Sequence, residues 1–508
     1  MPTATAPALA PPAATNLKLA SMSIATLYEL LQPITVPASA PRSKFVNWGL
    51  SFACAPLAVF EPTTAYECEL VLELARRERR TVRAAGVGHS PSDLACTTGF
   101  MMRTEKLSRV LEVNHDKHYV VAEAGIILND LHVALADHGL AMINLGSISD
   151  QTLAGVITTA THGTGLHHRV LSDHVLALTL LLPDGSRVRC SREQHHDLFM
   201  ASICGLGATG IILDITMRVR DAFRLKDKQH TVSFDDFLRD LRPTIAADEF
   251  VRFWWFPQAD AVRVSAFEET DEVCLSLLLP ATSLIRPVAP VTSWLWQSLV
   301  GFHFLQLILF FGRYIGFFNT LYGRISVWLM GGPSVSVDDS HKIFNLDCKY
   351  PQYTTEWGIP HERTEPCLRE LRDWLDEEIH GPNGSRPHCP LEIRFSCPDD
   401  IWLSPSNGQT TCWIGIMQYK PYGLNVPYRK LFARFEQIML AHGGKPHWAK
   451  AHPLRPAGLR AMYPRFDDFV RVLTEVDPRG LLRNPYVDRH IFGDDAPAAG
   501  DRVFKREH

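Results

Sequence analysis

Apolar and polar positions along the chain switch between two periods, and the switches mark out its elements. Pro62-Thr63-Thr64 gives a loop and an N-cap, with Glu67 at capping-box distance from Thr64. Residues 67–80 then carry the spacing of an amphipathic helix and 82–85 that of a strand, so a β–α–β start is expected. Further apolar runs at 119–124, 175–182 and 211–219 read as strands, and 127–139 and 197–203 as helices. Pro183-Asp184-Gly185 closes one of these strands with a turn. Past residue 222 the pattern restarts. Residues 223–267 mix strand and helix around the aromatic run Phe253-Trp254-Trp255-Phe256. Helices are expected at 364–379, 428–442 and 465–476, and strands at 391–395 and 411–417. No internal repeat interrupts this order.

The pattern predicts an α+β protein in two parts, 43–222 and 223–490, between a leader at 1–42 and a tail at 491–508. The leader is rich in Ala, Pro, Thr and Ser, and only Lys18 and Glu29 are charged before Arg42. It is expected to be disordered apart from a short helix at 24–31. It has neither the basic flank and apolar core of a signal peptide nor the Arg content of a transit peptide. The tail after Asp494 is polar and is expected to be flexible.

Three glycine-rich loops fall in the first part, each at the end of a strand or helix. Arg83-Ala84-Ala85-Gly86-Val87-Gly88-His89-Ser90 ends the strand at 82–85, residues 146–165 are rich in Gly, Thr and Ser, and residues 205–210 lead into the strand at 211–219. Glycines at such spacing allow tight turns and close backbone approach to a ligand. No third glycine on a following helix and no acidic residue closing a βαβ unit supports a Rossmann fingerprint. Three such loops in one domain point to a large cofactor threaded past several backbones, set against the plainer reading of three unrelated turns.

Composition narrows the classes. The chain has 508 residues, 46% hydrophobic and 21% charged, with a net charge of −4, so it lacks the basic field that nucleic-acid binding needs. Its 11 cysteines are an odd number without C-x-x-C spacing, which fits free thiols in a reducing compartment rather than a disulfide framework or a zinc site.

One stretch stands apart. Between Arg286 and Arg313 lie 26 residues without a formal charge, inside an apolar segment at 287–330. Gln306, Arg313, Thr320 and Arg324 follow at intervals of seven, seven and four, which would set a polar stripe on one helical face. A helix lying in the membrane interface, a membrane span, and a buried or oligomer-contact helix all remain open.

Two clusters carry chemistry. Glu392-Ile393-Arg394 puts an acid and a base two residues apart on a strand, so both point to the same face. Pro446-His447-Trp448-Ala449-Lys450 puts an aromatic, a histidine and a lysine in one short loop. His162, His167 and His168 lie near one another in sequence, but no neighbouring carboxylate or cysteine completes a metal site, and none is expected. No G-x-S-x-G elbow and no G-K-[ST] phosphate loop occurs.

Six motifs together resemble the sugar-1,4-lactone oxidases of the vanillyl-alcohol-oxidase flavoprotein superfamily, which include fungal D-arabinono-1,4-lactone and animal L-gulono-1,4-lactone enzymes. They are Gly86-Val-Gly-His89-Ser-Pro-Ser-Asp93, Asn144-Leu-Gly-Ser-Ile-Ser149, Thr161-His162-Gly-Thr-Gly165, Tyr353-Thr-Thr-Glu-Trp357, Glu392-Ile-Arg394 and Pro446-His-Trp-Ala-Lys450. The resemblance covers about 45 to 487. It implies a two-subdomain FAD-binding domain of the vanillyl-alcohol-oxidase (PCMH) type at 43–222 and an α+β substrate-binding cap at 223–490. It implies that His89 bonds covalently to the flavin 8α-methyl carbon. Gly86, Val87, Gly88, Ser90, Gly146, Ser147, Thr152, Gly155, Thr159, Thr161, His162 and Ile211 fall where the family touches FAD. Glu392, Arg394 and Lys450 are the implied catalytic groups, and an aldono-1,4-lactone is the implied substrate, D-arabinono-1,4-lactone by overall similarity. Oxygen is the implied acceptor, because family members that exclude it carry alanine at the place of Gly146. A dehydrogenase with a protein acceptor and a catalytically silent membrane-associated protein are the competing readings. The resemblance also implies a membrane surface, mitochondrial in fungal members.

Overall fold

The computed structural model describes residues 19–272, 302–346, 348, 350–381, 384, 386–388 and 390–494, and the backbone of 503–505. The first part is built on two sheets. Strands Ala58–Phe60, Phe100–Arg103 and Val82–Ala85 form a parallel sheet with the middle one central, against which helix Ala65–Glu78 packs. Thr64 caps that helix: its side chain accepts from the Glu67 N–H while the Glu67 carboxylate accepts from the Thr64 backbone. The second sheet is antiparallel, in the order Arg187–Ser191, Val175–Leu181, Ile211–Arg218, Tyr119–Glu123, Val110–Asn114. The expected strands and helices of this part are present, with ends shifted by a residue or a few.

The second part is organised by an eight-stranded sheet. Its order is Ser334–Asp339, Arg224–Ser233, Ala261–Glu269, Phe250–Phe256, Leu391–Ser396, Thr411–Tyr419, Gln352–Pro360, Lys445–Pro446. Helices Phe234–Ala247, Thr364–His380 and Arg429–Ala441 bury their apolar stripes against it, in a core that includes Phe253, Trp255, Trp357, Leu371, Ile393 and Ile414.

The expected bounds of leader, cap and tail need correction. The leader is not disordered over 19–42: helix Ile24–Leu31 buries Leu27 and Leu31 against helix Ala65–Glu78, and Arg42 pairs with Glu61 and Glu105. The cap does not run to residue 490. Trp448, Leu459, Tyr463, Phe466, Tyr486 and Ile491 share a core with Leu131, Leu178 and Phe199 of the first part, and Asn484 donates to the carbonyls of Leu94 and Cys96. The chain therefore returns to the first part after the cap. The tail is not wholly free either, since Val503–Lys505 adds a strand to Phe52–Cys54.

The first part of the polar stripe in the apolar segment turns inward. Two helices, Leu305–Gly312 and Phe317–Met330, replace the single helix that the spacing implied. The Gln306 side chain accepts from the Tyr422 N–H at 2.7 Å, Arg313 donates to the Asn425 carbonyl at 2.9 Å, and Arg324 faces the Gln258 carbonyl. Gln306 and Arg313 thus dock the pair on the cap, while Arg324 stays exposed on the same helical face as Phe317 and Trp328, and Phe304, Phe311, Tyr314 and Ile315 are exposed as well. No helix among the described residues is long and apolar enough to cross a membrane. The part of this stretch at 287–301, with Trp294 and Trp296, lies outside the described residues.

Candidate active site

The loop after strand Val82–Ala85 is clamped from three sides. The Trp48 N–H donates to the Gly88 carbonyl at 2.9 Å and its ring stacks on His89 with centroids 5.2 Å apart. Asn47 donates to the Ser90 carbonyl, and Ser92 donates to the Ala449 carbonyl at 2.9 Å, tying the loop to the segment that carries Lys450. Gly88 has φ +80°, and a Cβ on Gly86 would lie 2.2 Å from the Thr152 hydroxyl, so both positions require glycine. Arg83, buried at the root of the loop, donates to the carbonyls of Leu206 and Gly207 and so joins the first glycine loop to the third.

One cavity runs past all three glycine loops into the cap. Its walls include Gly86, Val87, Gly88, His89, Ser90, Gly146, Ser147, Thr152, Gly155, Thr159, Thr161 and His162, as well as Glu392, Arg394 and Lys450. Every site residue expected from the sequence therefore lines it except one. Ile211 is buried in the core beneath, with Leu181 and Leu213, while Gly210 and Ile212 face the cavity. Side chains alternate along a strand, so a one-residue step changes the face.

In the cap the two carboxylates sit on either side of one glycine. Glu392 and Glu356, on different strands, both pair in register with Gly415, which has no side chain to separate them. Arg394 bridges the pair. Its Nη2 donates to Glu356 Oε1 at 2.9 Å and lies 3.4 Å from Glu392 Oε2, while Nη1 donates to the His162 carbonyl at 3.2 Å. Its Nε is buried and finds no partner among the described residues. Glu392 Oε1 accepts from the Ser147 hydroxyl at 2.7 Å, so a residue of the first part steadies a carboxylate of the cap. Lys450 Nζ stands 3.5 Å from Glu356 Oε2.

Glu356 is the buried anion at the centre. Burial would raise its carboxyl, but Arg394, then His162 and Lys450, outweigh burial and hold it well below the usual range. It is therefore ionised and acceptor-only, so His162 Nε2 donates to it at 3.0 Å. Burial and the Arg394 charge lower the His162 imidazole, which stacks on Trp413 at 3.8 Å. His447 is neutral because it is buried, and its Nδ1 accepts from the Ala449 N–H, leaving its proton on Nε2. Burial likewise lowers the His89 imidazole to about 4.

His162, Glu356 and His447 lie close enough to suggest a metal site, their ligand atoms falling within 4.8 Å of one another. The carboxylate that sequence neighbours did not supply thus comes from a distant strand. Its charge, however, is already met by a guanidinium and an ammonium, and a divalent cation would have to displace them or sit beside them. His168 instead pairs with Glu249. Sequence reasoning assigned no role to Glu356 or His447, although both lie in the motifs it quoted. A glutamate set among Tyr353, Trp357 and Ile359 was the available signal.

The cavity suits FAD. Glycine backbones with no room for a Cβ line one stretch of it, and the unpartnered Arg394 Nε–H offers a donor in the cap.

Known families match the chain in two places, an FAD binding domain over residues 56–191 and D-arabinono-1,4-lactone oxidase over residues 215–490. L-gulonolactone oxidase of Scyliorhinus torazame is 37% identical over 450 residues, which are 88% of this chain and 98% of its own. D-arabinono-1,4-lactone oxidase of Yarrowia lipolytica is 31% identical, with 80% of this chain and 85% of its own covered. An L-gulono-1,4-lactone dehydrogenase of Mycobacterium tuberculosis is also 31% identical, with 88% and 98% covered. Among solved structures, cholesterol oxidase from Brevibacterium sterolicum shares the fold, with a TM-score of 0.72 over 90% of this chain and 99% of its own at 15% identity. A PCMH-type FAD-binding domain joined to a lactone-oxidase cap places the chain in the D-arabinono-1,4-lactone oxidase family.

Proposed function

We propose that this chain oxidises D-arabinono-1,4-lactone at the hydroxyl carbon beside the lactone carbonyl, using FAD held covalently at His89 and reducing oxygen to hydrogen peroxide. The observation that carries the reading is the meeting of Glu392, Arg394, Glu356 and Lys450 in the cavity that also holds His89 and the glycine loops. FAD, when bound, supplies a hydride acceptor that hands its electrons on to oxygen. The chain's own groups do the rest. Glu392, steadied by Ser147, accepts hydrogen bonds from substrate hydroxyls and orients the ring. Arg394 is the fixed buried cation for the negative charge that develops on reduction, with its Nε–H free to donate. Lys450 is the second cation, beside the hydroxyl oxygen that loses its proton. Burial keeps the His89 imidazole neutral, so a ring lone pair is available for the bond to the flavin.

The test is to precipitate the purified protein with acid and look for yellow colour in the pellet. Colour that stays with the wild type and is lost with His89→Ala supports the covalent link, and flavin that washes off refutes it. Peroxide formation with D-arabinono-, L-gulono- and L-galactono-1,4-lactones tests the substrate. A rate no higher with the first than with the others overturns that choice. For oxygen, Gly146 lines the cavity, and a Cβ there would meet Thr161 Cγ2 at 3.2 Å. Gly146→Ala is expected to slow reoxidation by oxygen at least tenfold with lactone-dependent reduction little changed. An unchanged oxygen rate refutes the assignment.

The exposed aromatic side of the two helices at 305–330 supports a further element of the proposal, attachment to a membrane surface. Phe317→Ser with Trp328→Ser should cut co-sedimentation with phospholipid vesicles several-fold. Equal binding by wild type and variant would remove the helices from that role.

A further inference from the structure

We infer that Glu356 is the positioning residue of this site, the group that sets the aim of Arg394 and keeps it from closing fully on Glu392. The inference rests on the proposed lactone oxidation for its catalytic consequence and on the geometry for the rest. Arg394 has two carboxylates within reach, Glu356 at 2.9 Å and Glu392 at 3.4 Å, and the shorter contact is to Glu356. With Nη2 held by Glu356 and Nη1 by the His162 carbonyl, the guanidinium plane is fixed from two sides, and Nε has no partner among the described residues. The same carboxylate accepts from His162 of the first part and faces Lys450 of the returning segment. One anion therefore ties together a loop of the FAD-binding domain, two cap strands and the Lys450 loop. A buried carboxylate is kept in such a place only when it is well paired, and here it accepts two hydrogen bonds and faces an ammonium at 3.5 Å.

The Glu356 charge also decides which carboxylate Arg394 chooses. Remove it, and the guanidinium closes from 3.4 Å onto Glu392 alone. That single movement takes the cation from its aim and Glu392 from the substrate hydroxyls. In this scheme Glu356 acts through Arg394.

Glu356→Gln keeps the shape and removes the charge, while Glu356→Asp keeps the charge and shortens the reach. Sulfite binding to the flavin reports the cation near the ring and needs no lactone. It is read from the visible spectrum of the holoprotein. Glu356→Gln is expected to weaken sulfite binding at least tenfold, lower kcat about a hundredfold and raise KM, and Glu356→Asp to recover part of each. A purely structural role would lower the unfolding temperature and leave sulfite affinity and kcat of the folded fraction unchanged. Sulfite affinity and kcat within twofold of wild type in Glu356→Gln overturn the inference. If Glu356→Gln yields no holoprotein, Glu356→Asp carries the test, and wild-type sulfite affinity and kcat there overturn it. Should the wild type oxidise no lactone, the proposed function fails while the sulfite measurement still judges Glu356.

Discussion

Replacing Arg394 with methionine removes the cation and keeps most of the volume. Two buried carboxylates then lose their shared partner, Glu356 from 2.9 Å and Glu392 from 3.4 Å. Breaking a buried ion pair by deleting one member costs about 3–5 kcal/mol. Glu356 keeps His162 and Lys450, which favours the low end, about 3 kcal/mol. For 508 residues, at about 2.1 cal/mol/K of unfolding entropy each, that is a fall in Tm of about 3 °C. The pH dependence is the sharper test. In the wild type Glu356 is depressed, so its contribution is present above the unfolded carboxyl value and is lost as pH falls through the folded one. In Arg394→Met the largest lowering influence is gone and burial raises the carboxyl. The folded state then binds more protons than the unfolded one above the ordinary carboxyl value, and stability declines as pH rises. The deficit against wild type should widen from pH 5 to pH 8. Denaturation midpoints of both proteins at the two pH values measure it. A deficit that is constant or shrinks refutes the reasoning. Holding the developing charge is worth about 10²–10³ in kcat, and a loss of that size should accompany the change.

Gly86→Ala forces a Cβ to within 2.2 Å of the Thr152 hydroxyl, so a loss of about 1–3 kcal/mol and poor flavin retention are expected, read as the ratio of visible to protein absorbance. Burial lowers His132 to about 3 and His174, His388 and His490 to about 4, so the unfolded chain binds more protons between pH 4 and their ordinary 6.5. Stability should therefore drop as pH falls through that window, and equal urea midpoints at pH 7 and pH 5 would contradict it. Thr64→Ala removes one half of a capping box and should cost about 1 kcal/mol by the same urea measurement, with activity unchanged.

Short-range signals made much of the fold legible. The capping box at Thr64, the apolar periods and the glycine-ended strands are local, and local backbone preference follows directly from residue type. The alternation of Glu392 and Arg394 on a strand was legible for the same reason, as was the clustering of glycine loops. What escaped was set by distance along the chain. Ile211 and Ile212 differ by one step on a strand, and the face is chosen by what packs beneath. The stripe of Gln306, Arg313 and Arg324 would share one face of a single helix, but the chain forms two helices here, and the cap supplies an N–H and a carbonyl that turn Gln306 and Arg313 inward. The return of 448–491 to the first part depends on a core shared with residues more than 200 positions away.

The sequence by itself determined the α+β character, the glycine loops along the cavity and the strand pair Glu392 and Arg394 that lines it together with Lys450. Only the tertiary structure decided that Glu356 lies between them. Its position follows from sheet order, which sets strands 352–360 and 391–396 on either side of Gly415. A carboxylate in a strand carries no local mark of its partner, because the charge that stabilises it, Arg394, is 38 residues away and His162 is 194.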